Sequence, residues 1–423
     1  MSQIVPLRGR KQSLRSSVKL IALSVMLVLS GVSAPILFRS YFGETPDWDR
    51  GGMKEHLDSR CFEPMVRRTT EAGVNYVRTP MACFKSLPDW DYRPQHVVID
   101  GLRQGFIEVD RAQSETILLL HGQPSWSYLY RFMIPVLANE GYRVIAMDHL
   151  GFGLSDKPID PGFFTFEKHV ERLAEFVSIK ELDDIHLFAQ DWGSIIGLTL
   201  VATDPNRFAS VTIANGGIPG DIVEIAPSTH PARSRARFDR MLSMMPEEQP
   251  FLFDESGKPL LPVSDSGADD LDAFADWMTY AQTAKSFQPS RIIEALTYYS
   301  LTAEERAAYD APFPDEIAMA APRTFPSLRN QLIGTTAEKR AALERFEKPF
   351  LTIFGGNDPG LAGEGDGQPW MMSSIPGARD QPHHRFRAAS HFVQDDIGEE
   401  VATRLLAFIA ESRSTNGIAN ERH

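Results

Sequence analysis

Short apolar runs alternate with helix-like segments along most of the chain, and this alternation limits the possible folds more than any other feature. The runs with the length of buried strands are Ile117–Leu120, Arg143–Met147, Ile185–Ala189, Val211–Ala214, Phe350–Phe354 and His384–Ala388. Segments with helical spacing of apolar residues lie between or after them, namely Phe166–Ile179, Ser194–Ala202 and Glu399–Ala410. Strands that alternate with helices predict an α/β fold with a mostly parallel sheet flanked by helices.

The alternation stops between residues 219 and 347, where the sequence is rich in proline. The predicted helices of this stretch are Ala273–Ala284, Ser290–Tyr299 and Ala303–Tyr309. A helical insertion between two halves of one sheet is the layout of an α/β-hydrolase fold with a cap. The predicted parts are therefore a first core segment at 76–218, a cap at 219–347, a second core segment at 348–413 and a C-terminal tail at 414–423.

The first 38 residues differ from the rest of the chain. The basic residues at its start are Arg8, Arg10, Lys11, Arg15 and Lys19. They precede the uncharged run Leu20–Phe38, which as a helix would measure about 28 Å, enough to span the hydrocarbon core of a bilayer. The basic flank predicts a cytoplasmic N-terminus, as for an inner-membrane anchor. A cleaved signal peptide is the alternative, and both interpretations export the remaining chain to an extracytoplasmic or periplasmic location. A buried core helix is the third interpretation, which the terminal position and the basic flank disfavour.

Residues 39–75 are polar and are predicted to be a linker or an accessory segment packed on the core. In an exported protein, Cys61 and Cys83 would lie in an oxidising space. They would either pair as a disulfide or remain as two thiols, and the sequence leaves both possibilities open.

Composition excludes several classes of partner. Asp and Glu total 56 against 43 Lys and Arg, so the formal net charge is −13 and a nucleic-acid partner is not expected. With two cysteines and no CxxC motif, no metal site is expected. The pair Gly151 and Gly153 lacks the third glycine of a dinucleotide loop, so no cofactor is predicted.

Asp191 is the candidate nucleophile. Residues 185–194 are predicted to run strand, sharp turn and helix, and small Ala189 and Gly193 flank the turn two residues on either side. No G-x-S-x-G motif occurs in the chain, which disfavours a serine esterase. A helix N-cap is the alternative role for this aspartate. The backbone N–H groups of Gln123 and Trp192 are predicted to form an oxyanion hole.

Two further candidates follow later strands. Asp358 comes directly after the strand Phe350–Phe354 and its glycine turn, and His391 comes after the strand that begins at His384. Nucleophile, acid and histidine in this chain order are typical of α/β-hydrolases. We therefore expect Asp191, Asp358 and His391 to meet at the carboxyl edge of the sheet.

Three segments together resemble haloalkane dehalogenases. They are HGQPSWSYLYR at His121–Arg131, DHLGFGLSDKP at Asp148–Pro158 and QDWG at Gln190–Gly193, and the resemblance extends over about residues 76–410. It implies Asp191 as nucleophile, His391 as base and Asp358 as the acid that supports the base. It also implies a small haloalkane and water as substrates and a halide as product.

The resemblance further implies that two side-chain N–H donors bind the halide. Trp192 matches the first donor. The second is a cap tryptophan in one subgroup and, in the other, an asparagine two residues after the motif histidine, where this chain has Gln123. Asp272–Trp277 resembles the cap tryptophan stretch and Ala311–Asp315 fits the same cap, so Trp277 is the expected second donor. A core aromatic residue on a helix is the alternative role for Trp277.

Two other functions are compatible with the sequence. An epoxide hydrolase also uses an aspartate nucleophile on this fold, with cap phenols as acids. Its candidate phenols here are Tyr280, Tyr298, Tyr299 and Tyr309. A binding module without catalysis is the second alternative, although the intact set of Asp191, Asp358 and His391 speaks against it.

Overall fold

The computed structural model describes residues 50–109, 115–219, 274, 277–284, 287–332, 337–358 and 367–420. Its strands are β1 (Arg68–Thr69), β2 (Asn75–Val77), β3 (Gln95–Ile99), β4 (Leu102–Val109), β5 (Thr116–Leu120), β6 (Arg143–Met147), β7 (Lys157–Pro158), β8 (Ile185–Asp191), β9 (Phe208–Gly216), β10 (Phe350–Gly355) and β11 (His384–Phe386). The short strands β1, β2 and β7 form a small antiparallel sheet, and the other strands form the main sheet.

The main sheet has eight strands in the order β11-β10-β9-β8-β5-β6-β4-β3. Every pairing from β11 to β6 is parallel, whereas β4 pairs antiparallel with both β6 and β3. The predicted mostly parallel sheet is thus confirmed. The hairpin of β3 and β4 was not predicted, because the edge strand β3 alternates exposed and buried residues instead of forming an apolar run.

The helices are α1 (Arg50–His56), α2 (Met133–Asn139), α3 (Phe166–Ile179), α4 (Trp192–Thr203), α5 (Pro289–Ala295), α6 (Ala303–Asp310), α7 (Ala320–Thr324), α8 (Ala337–Leu343), α9 (Gln368–Ser374) and α10 (Val393–Asn420). Helix α3 begins where the Thr165 side chain accepts a hydrogen bond from Lys168 N, and it buries Leu173, Phe176 and Val177. Helix α10 has a kink at Ile397 and continues through residues 414–420, for which the sequence had suggested a tail.

Helices cover the sheet in two groups. Helix α4 contacts α3 and α8, and separately α2 contacts α10. Residues of β5 are buried at every position, so side chains that point to opposite faces of this strand are both covered. The hydrophobic core therefore lies on both sides of the parallel strands.

The predicted cap corresponds to a long insertion between β9 and β10. Its described part contains helical residues 277–283 and the helices α5 to α8, while residues 220–273 lie outside the described residues. Because β9 and β10 are parallel neighbours, the chain must return from the carboxyl edge to the amino edge of the sheet before β10 begins. The last helix of the insertion, α8, packs against α4 on this return path.

The segment before the core packs on the domain in its described part. Helix α1 contacts α6, and β1 and β2 continue into the small sheet. Cys61 and Cys83 form a disulfide, and both residues are fully buried. This bond joins the segment to the first residues of the core.

No helix in the described part of the chain has both the length and the hydropathy that a bilayer crossing requires. The apolar run Leu20–Phe38 lies outside the described residues. Its role as an anchor or signal stays a prediction.

Candidate active site

The turn between β8 and α4 places Asp191 at the carboxyl edge of the sheet. Asp191 has φ 50° and ψ −126°, a backbone conformation that non-glycine residues rarely adopt. Asp191 occupies the N-cap position of α4, but its side chain makes no capping hydrogen bond, so capping is not the role of the carboxylate. Gly193 permits the turn, since a Cβ there would overlap the carbonyl oxygens of Leu120 and His121.

The carboxylate of Asp191 lies directly over the chain that follows β5. Gln123 N donates a hydrogen bond of 2.7 Å to Asp191 Oδ1. Gly122 has no Cβ, and a Cβ at that position would overlap the same oxygen. The Gln123 side chain points elsewhere, because its amide donates to the carbonyl of Pro322 in the cap at 2.8 Å.

Asp358 and His391 also lie at this edge. His391 Nδ1 is 2.8 Å from Asp358 Oδ2, and His391 Nε2 is 3.5 Å from Asp191 Oδ2. The imidazole and the Asp358 carboxylate are buried, and the Asp191 side chain is partly accessible. The structure therefore brings together the three residues that the sequence predicted as catalytic.

Asn215 supports this arrangement and was missed by the sequence analysis. Its side-chain nitrogen donates to Asp358 Oδ2 at 2.9 Å, and its Oδ1 accepts a bond of 2.7 Å from Gly355 N. Asn215 lies at the carboxyl end of β9, the strand next to β8. A polar residue at the end of a neighbouring parallel strand was a signal that could have found it.

The two carboxylates dominate the electrostatics of the imidazole. Burial lowers the pKa of His391, but the negative charges and hydrogen bonds of Asp358 and Asp191 outweigh it and raise the pKa to about 10. The two acids therefore favour the protonated form of the imidazole. Removal of the charge at either acid would lower its pKa.

The two tryptophans predicted as halide donors make separate aromatic contacts. Trp192 begins α4, is buried, and contacts Phe325 edge to face with ring centroids 5.8 Å apart. Trp277 stacks in the cap on Tyr280 at 6.1 Å and on Phe287 at 6.0 Å. Its role as second donor stays a prediction.

A buried ion cluster behind the site engages one of the candidate phenols. Tyr309 donates its hydroxyl proton to Asp395 at 2.7 Å, and Arg131 pairs with the same aspartate and with Glu305. This cluster fixes Tyr309 to α10, so its hydroxyl does not serve as a free acid. Among the residues described, no group of His, Cys, Asp and Glu is arranged to hold a metal ion.

A carboxylate on a sharp strand-to-helix turn, with a histidine and an acid at the ends of later parallel strands, defines a hydrolase of the α/β-hydrolase fold. A family model for the alpha/beta hydrolase fold matches residues 115–240.

Comparison with known proteins shows to which family within this fold the chain belongs. The haloalkane dehalogenase of Psychrobacter cryohalolentis is 34% identical over 350 residues, which cover 80% of this chain and 99% of that protein. Haloalkane dehalogenase 1 of Mycobacterium tuberculosis is also 34% identical, over 79% of this chain and 99% of its own length. In structure, the tetrameric haloalkane dehalogenase DpaA from Paraglaciecola agarilytica matches with a TM-score of 0.59 and 27% identity, covering 78% of this chain and 98% of its own. The chain therefore belongs to the haloalkane dehalogenase family.

The contact between Gly122 and Asp191 yields a first prediction. Gly122→Ala forces a Cβ against Asp191 Oδ1, and we expect a fall of about 100-fold in kcat/KM for halide release because the carboxylate is displaced by about 1 Å. Gly217→Ala is the matched control, since its Cβ would meet only the flexible end of Ile195. Equal activity of the two variants, with similar melting temperatures, would contradict the role given to Gly122.

Proposed function

We propose that the protein hydrolyses haloalkanes to an alcohol and a halide ion through a covalent alkyl ester on Asp191. The observation that carries the proposal is a carboxylate where serine hydrolases have a hydroxyl, held by Gln123 N–H with His391 3.5 Å away. The activity of the relatives of this chain is consistent with it. No cofactor or metal takes part in the reaction that we propose.

In the first step, one oxygen of the Asp191 carboxylate attacks the halogen-bearing carbon. The carbon–oxygen bond forms as the carbon–halogen bond breaks, and the halide leaves with the bonding electrons. A carboxylate suits this step, because substitution at a saturated carbon creates no oxyanion for a serine-type site to stabilise. Indole N–H groups donate without accepting, so Trp192 and Trp277 are proposed to bind the departing halide.

In the second step, His391 removes a proton from a water molecule that attacks the ester carbonyl of Asp191. The carbonyl oxygen becomes an oxyanion, for which Gln123 N–H and Trp192 N–H are the proposed donors. The ester carbon–oxygen bond then breaks, and the alcohol leaves with the proton from the histidine. Asp358 holds the imidazole orientation and stabilises its charged form.

The charge change in the first step prepares the base for the second. The Asp191 charge contributes to the raised pKa of His391 in the free enzyme. Alkylation replaces that charge with a neutral ester, so the histidine pKa falls and the neutral imidazole becomes more populated. The histidine therefore becomes a base after the ester has formed.

Intact-mass spectrometry tests the covalent step. With 1-bromobutane, His391→Phe is expected to release about one halide per enzyme and to retain the mass of a butyl group, because alkylation needs no base. Asp191→Asn is expected to release no halide and to gain no mass.

The wild-type enzyme serves as control and must release halide continuously from 1-bromobutane and 1,2-dibromoethane. If wild type turns over while the His391→Phe variant shows no adduct, the ester mechanism is wrong. Diol formation from styrene oxide without halide release from either bromoalkane would point instead to an epoxide hydrolase.

The two steps are expected to differ in pH dependence. As the pH falls from about 9 to about 5, alkylation should change little, since it uses no base. Ester hydrolysis should slow once the pH drops below the pKa of His391 in the ester, because the protonated imidazole cannot accept a proton. Rapid-quench measurements give the rate of alkylation from the halide burst and the rate of ester hydrolysis from the steady state. The same pH dependence for both rates would contradict the role of His391 as a base in the second step only.

Bromide binding tests the second halide donor. Bromide binding is followed by the quenching of tryptophan fluorescence. If Trp277 contacts the halide, Trp277→Phe should lower the apparent bromide affinity about 10-fold, which is a loss of about 1.4 kcal/mol of binding free energy. Trp370→Phe, on α9, is the control and should leave the affinity unchanged. An unaltered titration in the Trp277 variant would exclude this residue from the halide site.

We also propose that the chain is exported from the cytoplasm and is either anchored by residues 20–38 or released after cleavage. The Cys61–Cys83 disulfide supports export, because disulfides persist mainly in oxidising compartments. Recovery of full-length protein with two reduced thiols in the cytoplasmic fraction would reject export.

A further inference from the structure

The loop that carries His391 is fixed on its sheet side by hydrogen bonds with Asn357 and Gln190. Asn357 N donates to Ala389 O at 3.0 Å, and the Gln190 side chain donates to His391 O at 3.2 Å. Both donors come from strand ends that already carry site residues. These bonds set the height of the loop above the sheet but do not connect it to the cap.

One side chain, the carboxylate of Asp396, binds both the loop and the cap. Asp396 Oδ2 accepts a hydrogen bond of 2.8 Å from Ser390 N, the residue before His391. Its other oxygen, Oδ1, accepts from Tyr298 N at 2.8 Å and from Tyr299 N at 3.2 Å. Oδ2 of Asp396 therefore binds the histidine loop, and Oδ1 binds the cap.

Asp396 differs in this respect from its neighbour on the same helix. Asp395 binds Arg131 and Tyr309 in the buried ion cluster and accepts no bond from the histidine loop in that arrangement. A backbone bond from Phe392 N to Leu296 O, 3.3 Å long, lies beside the Asp396 bridge. The loop is therefore joined to cap residues 296–299 on both sides of His391.

We propose that Asp396 is a positioning residue for His391. By binding both the histidine loop and cap residues 298 and 299, Asp396 sets the position of the imidazole relative to the Asp191 ester. The inference rests on the two-step mechanism proposed above, in which only ester hydrolysis uses the histidine as a base. Loss of the bridge is therefore expected to slow the second step and to spare the first. A residue with a purely structural role would impair both steps together.

Asp396→Asn is the decisive variant. Asparagine keeps one acceptor oxygen and replaces the other with an N–H₂ group, so it can hold Ser390 N or the two cap N–H groups, but not both. With 1-bromobutane we expect the halide burst to keep its wild-type rate constant within about twofold, while kcat falls about 10-fold to 100-fold. The butyl ester on Asp191 should then be visible by intact-mass spectrometry in the steady state.

Asp310→Asn is the matched control. Asp310 is also an aspartate that accepts a backbone N–H, from Ser290 at 2.9 Å, but it joins α5 to α6 within the cap. This variant is expected to lose stability without accumulating ester. Ester accumulation in both variants to the same extent would show that cap instability, and not the bridge, controls the second step.

The outcomes separate this inference from the proposed function. If His391→Phe accumulates ester but Asp396→Asn turns over as wild type does, the inference is wrong and the mechanism stands. If neither wild type nor His391→Phe reacts with the bromoalkane, the proposed function itself fails.

Hydrogen exchange gives a test on the wild-type protein that does not depend on the folding of a variant. Because one side chain binds all three amides, Ser390, Tyr298 and Tyr299 should exchange with similar protection when followed by NMR. Rapid exchange at Ser390 with slow exchange at the two tyrosines would show that the bridge is open in solution and would overturn the proposal.

Discussion

The site depends on the backbone at Asp191, which adopts a positive φ so that its carboxylate stands above the edge of the sheet. Such a conformation is costly for a side chain with a Cβ, and the surrounding structure must maintain it. Gly193 and Gly122 leave the space that the turn and the carboxylate fill, and Gln123 N–H holds one carboxylate oxygen. The other oxygen faces His391, so the nucleophile is fixed from two directions before a substrate arrives.

The electrostatic arrangement follows from this fixed geometry. One imidazole lies between two carboxylates, and Asn215 donates to the one that does not react. In the proposed reaction the charge of Asp191 disappears and returns once in each cycle. The pKa of His391 therefore depends on whether Asp191 is a charged carboxylate or a neutral ester. Asp358 and Asn215 keep the same charge and contacts throughout the cycle.

The fold and the reacting groups could be predicted from the sequence because buried parallel strands form apolar runs and each run ends at a candidate residue. Asp396 could not, since its role is to join Ser390 to the cap, where Tyr298 lies 98 positions away from Asp396 in the chain. Asn215 could be recognised only as a polar residue at a strand end, because its bond to Asp358 joins positions 143 residues apart. The hairpin of β3 and β4 was missed because an edge strand need not be apolar on both faces. Helix α10 passes the predicted start of the tail because residues 399–416 contain neither proline nor glycine.

Arg131 is buried with Glu305 and Asp395, and these residues come from three segments: the chain before α2, cap helix α6 and helix α10. Glu305 also forms the capping box of α6 with Thr302. The same side chain therefore stabilises the start of the helix and pairs with the arginine. Loss of Glu305 would leave Arg131 paired with Asp395 but would remove one of its two buried acid partners together with the capping box of α6. Cap exchange between relatives, as a route to new substrate preferences, must therefore transfer α6 as a unit that retains an acid facing Arg131.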